Sequence, residues 1–155
     1  MSDIRNEDFV NGLLNVLSET MVGVQGFYLD GGDSLFETLA TVTAAEASVP
    51  VGGKCATLAA QVKHTAFYLH VIDQSVRNPD FPRPDWGEIW RTVNTVTPDE
   101  WAAIQAELRL RYDEIIQLVK DTPAWGEAEM GGAIGMVAHC AYHLGEIRQA
   151  LCSLK

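Results

Sequence analysis

His139 and His143, in the segment AHCAYHLGEIRQAL near the C-terminus, have the spacing that most directly indicates chemistry. In a helix, residues four apart lie on one face, one turn from each other. Two imidazoles arranged in this way can bind one divalent ion, through bonds of about 2.0–2.1 Å to nitrogen. The segment therefore predicts two ligands of a metal site.

His64, in the segment TLAAQVKHTAFYLHVID, is the third candidate ligand. On a helical wheel it lies at the edge of the apolar face. His70 lies about 240° away, among polar residues predicted to face solvent, and is left out of the site. Three neutral nitrogens from two helices would leave a metal ion with an open coordination position, which is typical of a reactive site rather than a structural one.

Three interpretations of these histidines remain open. The first is a metal-dependent enzyme. The second is a non-catalytic binding protein with a structural or vestigial metal site. The third is a metal-free bundle in which the imidazoles are core residues with hydrogen-bonded neighbours, the usual role of a single histidine on an apolar face. Burying three imidazoles without a shared partner is costly, and this cost favours a metal.

Several neighbours of the three histidines have alternative roles. Glu146 can orient a ligating imidazole, accept a proton or face solvent, and the solvent-facing role is favoured. Tyr68 can contact a metal-bound ligand or pack in the core, and packing is favoured. Cys140 is predicted to be a small core residue. Trp86 and Trp90 form an i, i+4 pair that is more typical of a covered bundle end than of a pocket wall.

Three glycines, Gly131, Gly132 and Gly135, precede the histidine pair. Each costs about 1 kcal/mol relative to alanine in a helix interior. Their presence near His139 predicts either close helix packing or room for a ligand.

Apolar periodicity and the positions of glycine and proline predict four long helices. Thr97, Pro98 and Glu100 form a clear helix start, and a shorter helix is expected from Ser34 with Glu37 in a capping box. The proline-rich link 78–86 is expected to be extended, and 48–53 to be a connection. No strand is expected, so the fold class is all-α, a four-helix bundle in a single domain over 1–155. The predicted long helices are about 6–22, 55–77, 97–120 and 131–153.

Composition narrows the classes of partner. The chain has 155 residues, of which 47% are hydrophobic and 21% are charged, and its formal net charge is −10. The eleven lysines and arginines are scattered and form no basic stripe, which argues against nucleic acid and anionic membranes as partners. A small-molecule substrate is the expected partner.

The N-terminal residues, the length of the apolar runs and the cysteines predict a soluble cytoplasmic protein. The N-terminal residues are polar and acidic, unlike a signal or transit peptide. No uncharged apolar run approaches twenty residues. The three cysteines, Cys55, Cys140 and Cys152, form no paired pattern, which is typical of reduced thiols.

The chain resembles the DinB-like superfamily (DNA-damage-inducible, also described as YfiT-like metal-dependent hydrolases). The resemblance rests on TLAAQVKH, on DWGEIW and above all on AHCAYHLGEIRQ. It implies a four-helix bundle that holds a divalent metal with three histidines, which match His64, His139 and His143 here. It also implies S-transfer with a low-molecular-weight thiol such as bacillithiol or mycothiol, or hydrolysis, and a homodimer.

The histidines alone do not decide between thiol and water. Imidazole ligands are compatible with zinc, nickel and iron. Three neutral ligands leave the ion's charge uncompensated, so an anionic fourth ligand is favoured. Because ligating imidazoles must be deprotonated, metal affinity is expected to fall as the pH drops through about 6.5.

Overall fold

The computed structural model describes residues 5–51 and 55–154, and over these residues it is all-helical with no strand. An isolated antiparallel bridge joins Pro50 to Thr57. The all-α class predicted from the sequence is therefore confirmed for the described residues. Their helices are α1 (Asn6–Met21), α2 (Leu35–Leu39), α3 (Ala44–Ala47), α4 (Leu58–Arg77), α5 (Glu88–Thr92), α6 (Pro98–Asp121) and α7 (Glu127–Leu154).

The four long helices enclose a shared apolar core. Both α1 and α4 contact α6 and α7, so the four helices form a closed ring of neighbours. Every long helix contributes fully buried side chains, among them Leu17, Leu69, Leu108 and Ile147. Removal of this apolar surface from water is the main force that holds the helices together.

The start of α4 differs from the prediction by three residues. The periodic pattern placed it at Cys55, but that residue is exposed and the helix begins at Leu58. Thr57 is the N-cap, because its side chain accepts a hydrogen bond from Ala60 N at 3.2 Å. A cap oxygen compensates for the missing intrahelical acceptor, and this fixes the helix start.

Helix α7 starts earlier than predicted, at Glu127 instead of Gly131. The glycines that were expected to delay it lie inside the helix. Their cost in helix propensity is offset by buried side chains of the same helix, such as Ala133 and Met136. Tertiary packing routinely overrides weak propensity in this way.

The capping boxes that begin α6 and α2 were predicted from the sequence, whereas the one that begins α3 was not. Thr97 N donates to Glu100 Oε2 at 2.7 Å, and Glu100 N donates to Thr97 Oγ1 at 3.3 Å, at the start of α6. The pair of Ser34 and Glu37 begins α2 as expected. Helix α3, not predicted, has the same signature in Thr43-Ala-Ala-Glu46. Helix α5, also not predicted, directly follows the link 78–86, which carries neither helix nor strand.

A buried carboxylate anchors the loop that follows α1. Glu19 is fully buried, and its two oxygens accept four backbone N–H groups. Burial acts to raise the pKa of Glu19, but these donors together lower it to about 2. The donors are Gln25 (3.0 Å) and Phe27 (2.8 Å) to Oε2, and Tyr28 and Leu29 (both 2.7 Å) to Oε1.

No helix of the described residues combines the length and the apolar character needed to cross a membrane. The N-terminal residues 1–4 and the end of the predicted connection, at positions 52 and 53, lie outside the described residues.

Candidate metal centre

His64, His139 and His143 converge between α4 and α7. Their ring centroids are separated by 5.3 Å (His64 to His139), 5.0 Å (His64 to His143) and 4.6 Å (His139 to His143). One nitrogen from each ring lies within 4.8 Å of the other two. The three histidines predicted from the sequence therefore lie close together and could hold a metal ion. His64 and His143 are buried, and His139 is half-buried.

The ring nitrogens of these histidines fit a shared ligand. Three buried nitrogens, Nδ1 of His64, Nε2 of His139 and Nδ1 of His143, have no aligned hydrogen-bond partner among the described residues. Buried polar atoms are normally paired, so three unpaired atoms in one cluster need an explanation. A tetrahedral ion needs ligand atoms roughly 3.4 Å apart, and one nitrogen from each ring lies within 4.8 Å of the other two, which is close to that spacing.

Burial keeps the cluster uncharged. Desolvation, followed by the proximity of the other histidines, lowers the pKa of His64 from 6.5 to about 4. Desolvation and the proximity of His143 likewise lower the pKa of His139 to about 4. Desolvation also lowers the pKa of His143, against the opposing effect of Glu146. The imidazoles are therefore neutral near pH 7, the state in which they bind metals.

Glu146 contacts the cluster from the next turn of α7. Its Oε2 lies 2.9 Å from His143 Nδ1, although a ring N–H on that nitrogen would not point directly at the oxygen. The side chain is at the boundary with solvent, 36% exposed. The geometry supports contact of Glu146 with an imidazole, and its exposure also agrees with the solvent-facing role.

Aromatic rings cover the histidines. Tyr68, one turn after His64, stacks on His139 with centroids 3.7 Å apart and an interplanar angle of 16°. Trp90 lies 4.5 Å from His64 by ring centroids, and Trp86 lies 6.3 Å from it. The sequence favoured a bundle end for the two tryptophans, but α5 and the turn before it place both indoles against the cluster.

The position of α5 explains why the sequence did not predict that the two tryptophans contact the histidines. Their i, i+4 spacing was visible, but it does not say which part of the bundle they cover. Asp85 accepts a hydrogen bond from Gly87 N at 2.9 Å and forms an ion pair with Arg91, and both contacts stabilise the turn that carries the indoles. This turn brings a short segment, distant in sequence from α7, over the histidines.

The surroundings of His70 correct one expectation. The helical wheel placed it toward solvent, but it is half-buried and its ring lies 6.1 Å from that of Phe81, edge-on at 84°. The wheel was wrong about exposure because the link after α4 folds back over this side of the helix. His70 nevertheless lies outside the three-histidine group, as predicted.

Cys140 and the glycines of α7 are distinct from the ligand set. Cys140 is fully buried, as predicted, and burial raises the pKa of its thiol to about 12. At Gly131, Gly132 and Gly135, an added Cβ would meet no atom within 4 Å. Of the two explanations for these glycines, the structure therefore favours open space over close helix packing.

Comparisons of the chain with protein-family models, with curated proteins and with solved structures find no significant match. The geometry of the histidine cluster is consequently the basis for a functional proposal.

Proposed function

We propose that this protein is a metal-dependent enzyme of the DinB-like superfamily, in which His64, His139 and His143 hold one divalent ion. The observation that carries the proposal is the convergence of three ring nitrogens within 4.8 Å. Each of these histidines also has a buried nitrogen without an aligned partner among the described residues. Zinc, nickel and iron are the candidate ions.

The protein's own groups prepare this site in three ways. Burial keeps His64 and His139 neutral, so no proton has to be displaced near pH 7 when an ion binds. Two helices supply the ligands, so the core of the bundle fixes their separation. Trp90 and Tyr68 cover two of the rings and limit the access of water.

A divalent ion held by three neutral imidazoles would supply Lewis acidity, which lowers the pKa of a thiol or a water molecule at its open position. Glu146 is placed to orient His143 through Nδ1 and, being partly exposed, to exchange a proton with solvent at Oε2. A low-molecular-weight thiol would make the protein an S-transferase, and water would make it a hydrolase.

The family assignment rests on the motifs and is compatible with the fold. The all-helical structure places the histidine of TLAAQVKH and the two of AHCAYHLGEIRQ in one group. Both the homodimer and the thiol co-substrate come from this resemblance and are part of the proposal. The cytoplasm, where low-molecular-weight thiols are reduced, is the proposed location.

Metal content per chain is the decisive measurement. Untagged protein, His139→Ala and His70→Ala would be incubated with zinc or nickel, desalted and measured by elemental mass spectrometry. We expect about one ion per chain in the parent protein and in His70→Ala, and none in His139→Ala. His70 is the matched control because it is a half-buried histidine of α4 outside the cluster. Absence of metal from all three samples would refute the proposal.

Catalysis is tested separately on the metal-loaded protein. Electrophiles would be screened with and without a panel of low-molecular-weight thiols, and ester and amide substrates without thiol. Turnover that requires both metal and thiol would identify an S-transferase, whereas turnover without thiol would identify a hydrolase. Tight metal binding that raises thermal stability without any turnover would favour the alternative of a non-catalytic metal-binding protein.

A further inference from the structure

An apolar cavity lies between the C-terminal halves of α4 and α6 and the N-terminal part of α7. Its volume is about 300 Å³. Its apolar walls include Ile72 and Val76 from α4, Leu118 from α6 and Met136 from α7. Val76 is 64% exposed, so the cavity opens to solvent at this edge. A space of this kind is large enough for a small organic molecule.

The backbone of α7 leaves this space open at Gly132. Gly132 lines the cavity, and a Cβ built on it would meet no atom within 4 Å. Gly131, the preceding residue, is equally uncrowded but does not line the cavity. The cavity is therefore open at Gly132, and a larger side chain at this position would fill it.

The cavity is next to the histidine cluster along both helices. Met136 precedes His139 by three residues, which is about 4.5 Å along a helix axis, and Ile72 follows Tyr68 by four residues, about 6 Å. Along the helix axes, the stacked rings of Tyr68 and His139 therefore lie at a level between the cavity and the other two histidines. A molecule in the cavity would lie on the far side of this ring pair.

The charges around the cavity select against anions. Its polar lining consists of Ser75, Thr122 and Glu129, and no lysine or arginine of the described residues lines it. The Thr122 hydroxyl already donates to Leu118 O at 2.8 Å. With the Glu129 carboxylate at the edge and a net charge of −10 on the chain, an anionic ligand would be repelled.

We propose that this cavity binds a neutral, apolar small molecule. An engineered apolar cavity of about 150 Å³ binds benzene, so twice that volume has room for a naphthyl group, with a third ring at the open edge. Binding itself requires no metal.

Two fluorescent probes with the same carbon frame test the proposal. N-phenyl-1-naphthylamine is neutral, and 1-anilinonaphthalene-8-sulfonate adds one negative charge to it. Metal-free protein would be titrated with each probe while its fluorescence is followed. We expect saturable binding of the neutral probe at one site per chain, and binding of the anionic probe at least tenfold weaker. Failure of the neutral probe to saturate, or equal affinity for both probes, would overturn the proposal.

Substitutions that fill or alter the cavity test whether the neutral probe binds there. Gly132→Leu should weaken binding of the neutral probe at least tenfold, whereas Gly131→Leu, the matched control, should leave it unchanged. Both substitutions raise helix propensity, so folding is preserved and is checked by circular dichroism. Val76→Glu, at the exposed edge, provides a second variant that should also weaken binding. Unchanged affinity in Gly132→Leu and Val76→Glu would place the probe elsewhere and overturn the assignment.

His139→Ala separates this proposal from the metal proposal. It is expected to abolish metal binding but to leave affinity for the neutral probe within about threefold of the parent value, because the cavity walls are intact. Probe binding in a protein that takes up no metal would support the cavity and refute the metal site. Metal uptake without probe binding would support the metal site and refute the cavity.

Discussion

Glu146 Oε2 lies 2.9 Å from His143 Nδ1, one helical turn along α7. A carboxylate in contact with a ligating imidazole fixes the ring's orientation and raises its basicity. The pair is also unequal in exposure, since the histidine side chain is 6% exposed and the glutamate 36%. Glu146 can therefore be substituted while the buried ring of His143 remains in place.

Glu146→Gln is expected to weaken metal binding by roughly 10–100-fold, the usual effect of removing such a partner. Glutamine keeps the size of the side chain but loses the charge that favours the metal-bound imidazole. Affinity would be measured by competition with a calibrated chelator. Glu127→Gln, at the first turn of the same helix, is the control and should bind as the parent does. Equal affinities in all three proteins would show that Glu146 does not act on His143.

Nickel or cobalt is expected to quench the fluorescence of Trp90. These ions quench nearby indoles, and the Trp90 ring lies 4.5 Å from that of His64. Trp90→Phe should therefore show a clearly smaller fractional quench than the parent protein. Trp125→Phe, which removes an indole packed on Phe9, should show a fractional quench at least as large as the parent's. Equal quenching in the two variants would indicate that the ion binds away from the cluster.

Metal affinity should persist to lower pH than the sequence indicated. An ordinary histidine pKa predicted loss of binding through about pH 6.5, but burial lowers the pKa of His64 and His139 to about 4. Protons therefore compete with the ion mainly as the pH approaches 4. We expect nickel affinity to change less than threefold between pH 7.5 and 6 and to fall steeply below pH 5. A tenfold loss between pH 7 and 6 would contradict the lowered pKa values.

The metal-free protein should lose stability on mild acidification. A histidine whose pKa is lowered by folding binds fewer protons in the folded state than in the unfolded state. Its contribution to the free energy of unfolding is complete above about pH 6.5 and is lost as the pH falls toward 4. Thermal melts from pH 7.5 to 4.5 should show this fall, and His64→Ala should show a smaller one. An identical pH dependence in both proteins would argue against a buried, neutral His64.

Glu19→Gln should destabilise the fold without affecting the metal site. Each carboxylate oxygen of Glu19 accepts two backbone N–H groups, and an amide would place its own N–H₂ against two of them. We expect the melting temperature at pH 7 to fall by roughly 5 °C or more. Glu7→Gln, exposed in the first turn of α1, is the control and should change it little.

The stabilising contribution of Glu19 should decrease as the pH falls. Its pKa is lowered from 4.5 to about 2, so its stabilising contribution is present above about pH 4.5 and is lost as the pH falls through 2. The difference in melting temperature between the parent and Glu19→Gln should therefore shrink on strong acidification. A difference that stays constant to pH 2 would show that the ionised carboxylate is not the stabilising group.

Local sequence signals predicted the four long helices, the short helix α2 and the common face of two of the three histidines. The capping box at Thr97 fixed the start of α6, because a cap is a contact between residues three apart. The i, i+4 spacing of His139 and His143 fixed their common face, because one helix carries both. Helix starts without a capping box, at Leu58 and Glu127, were misplaced by three and four residues.

The sequence by itself thus established an all-helical chain and named three histidines, since helical periodicity and capping act between near neighbours. Only the tertiary structure decided that His64 meets the other two, that α5 places Trp86 and Trp90 over them, and that His70 lies beneath Phe81. These contacts join residues from separate helices and links. They follow from how the core packs as a whole, which no local pattern encodes.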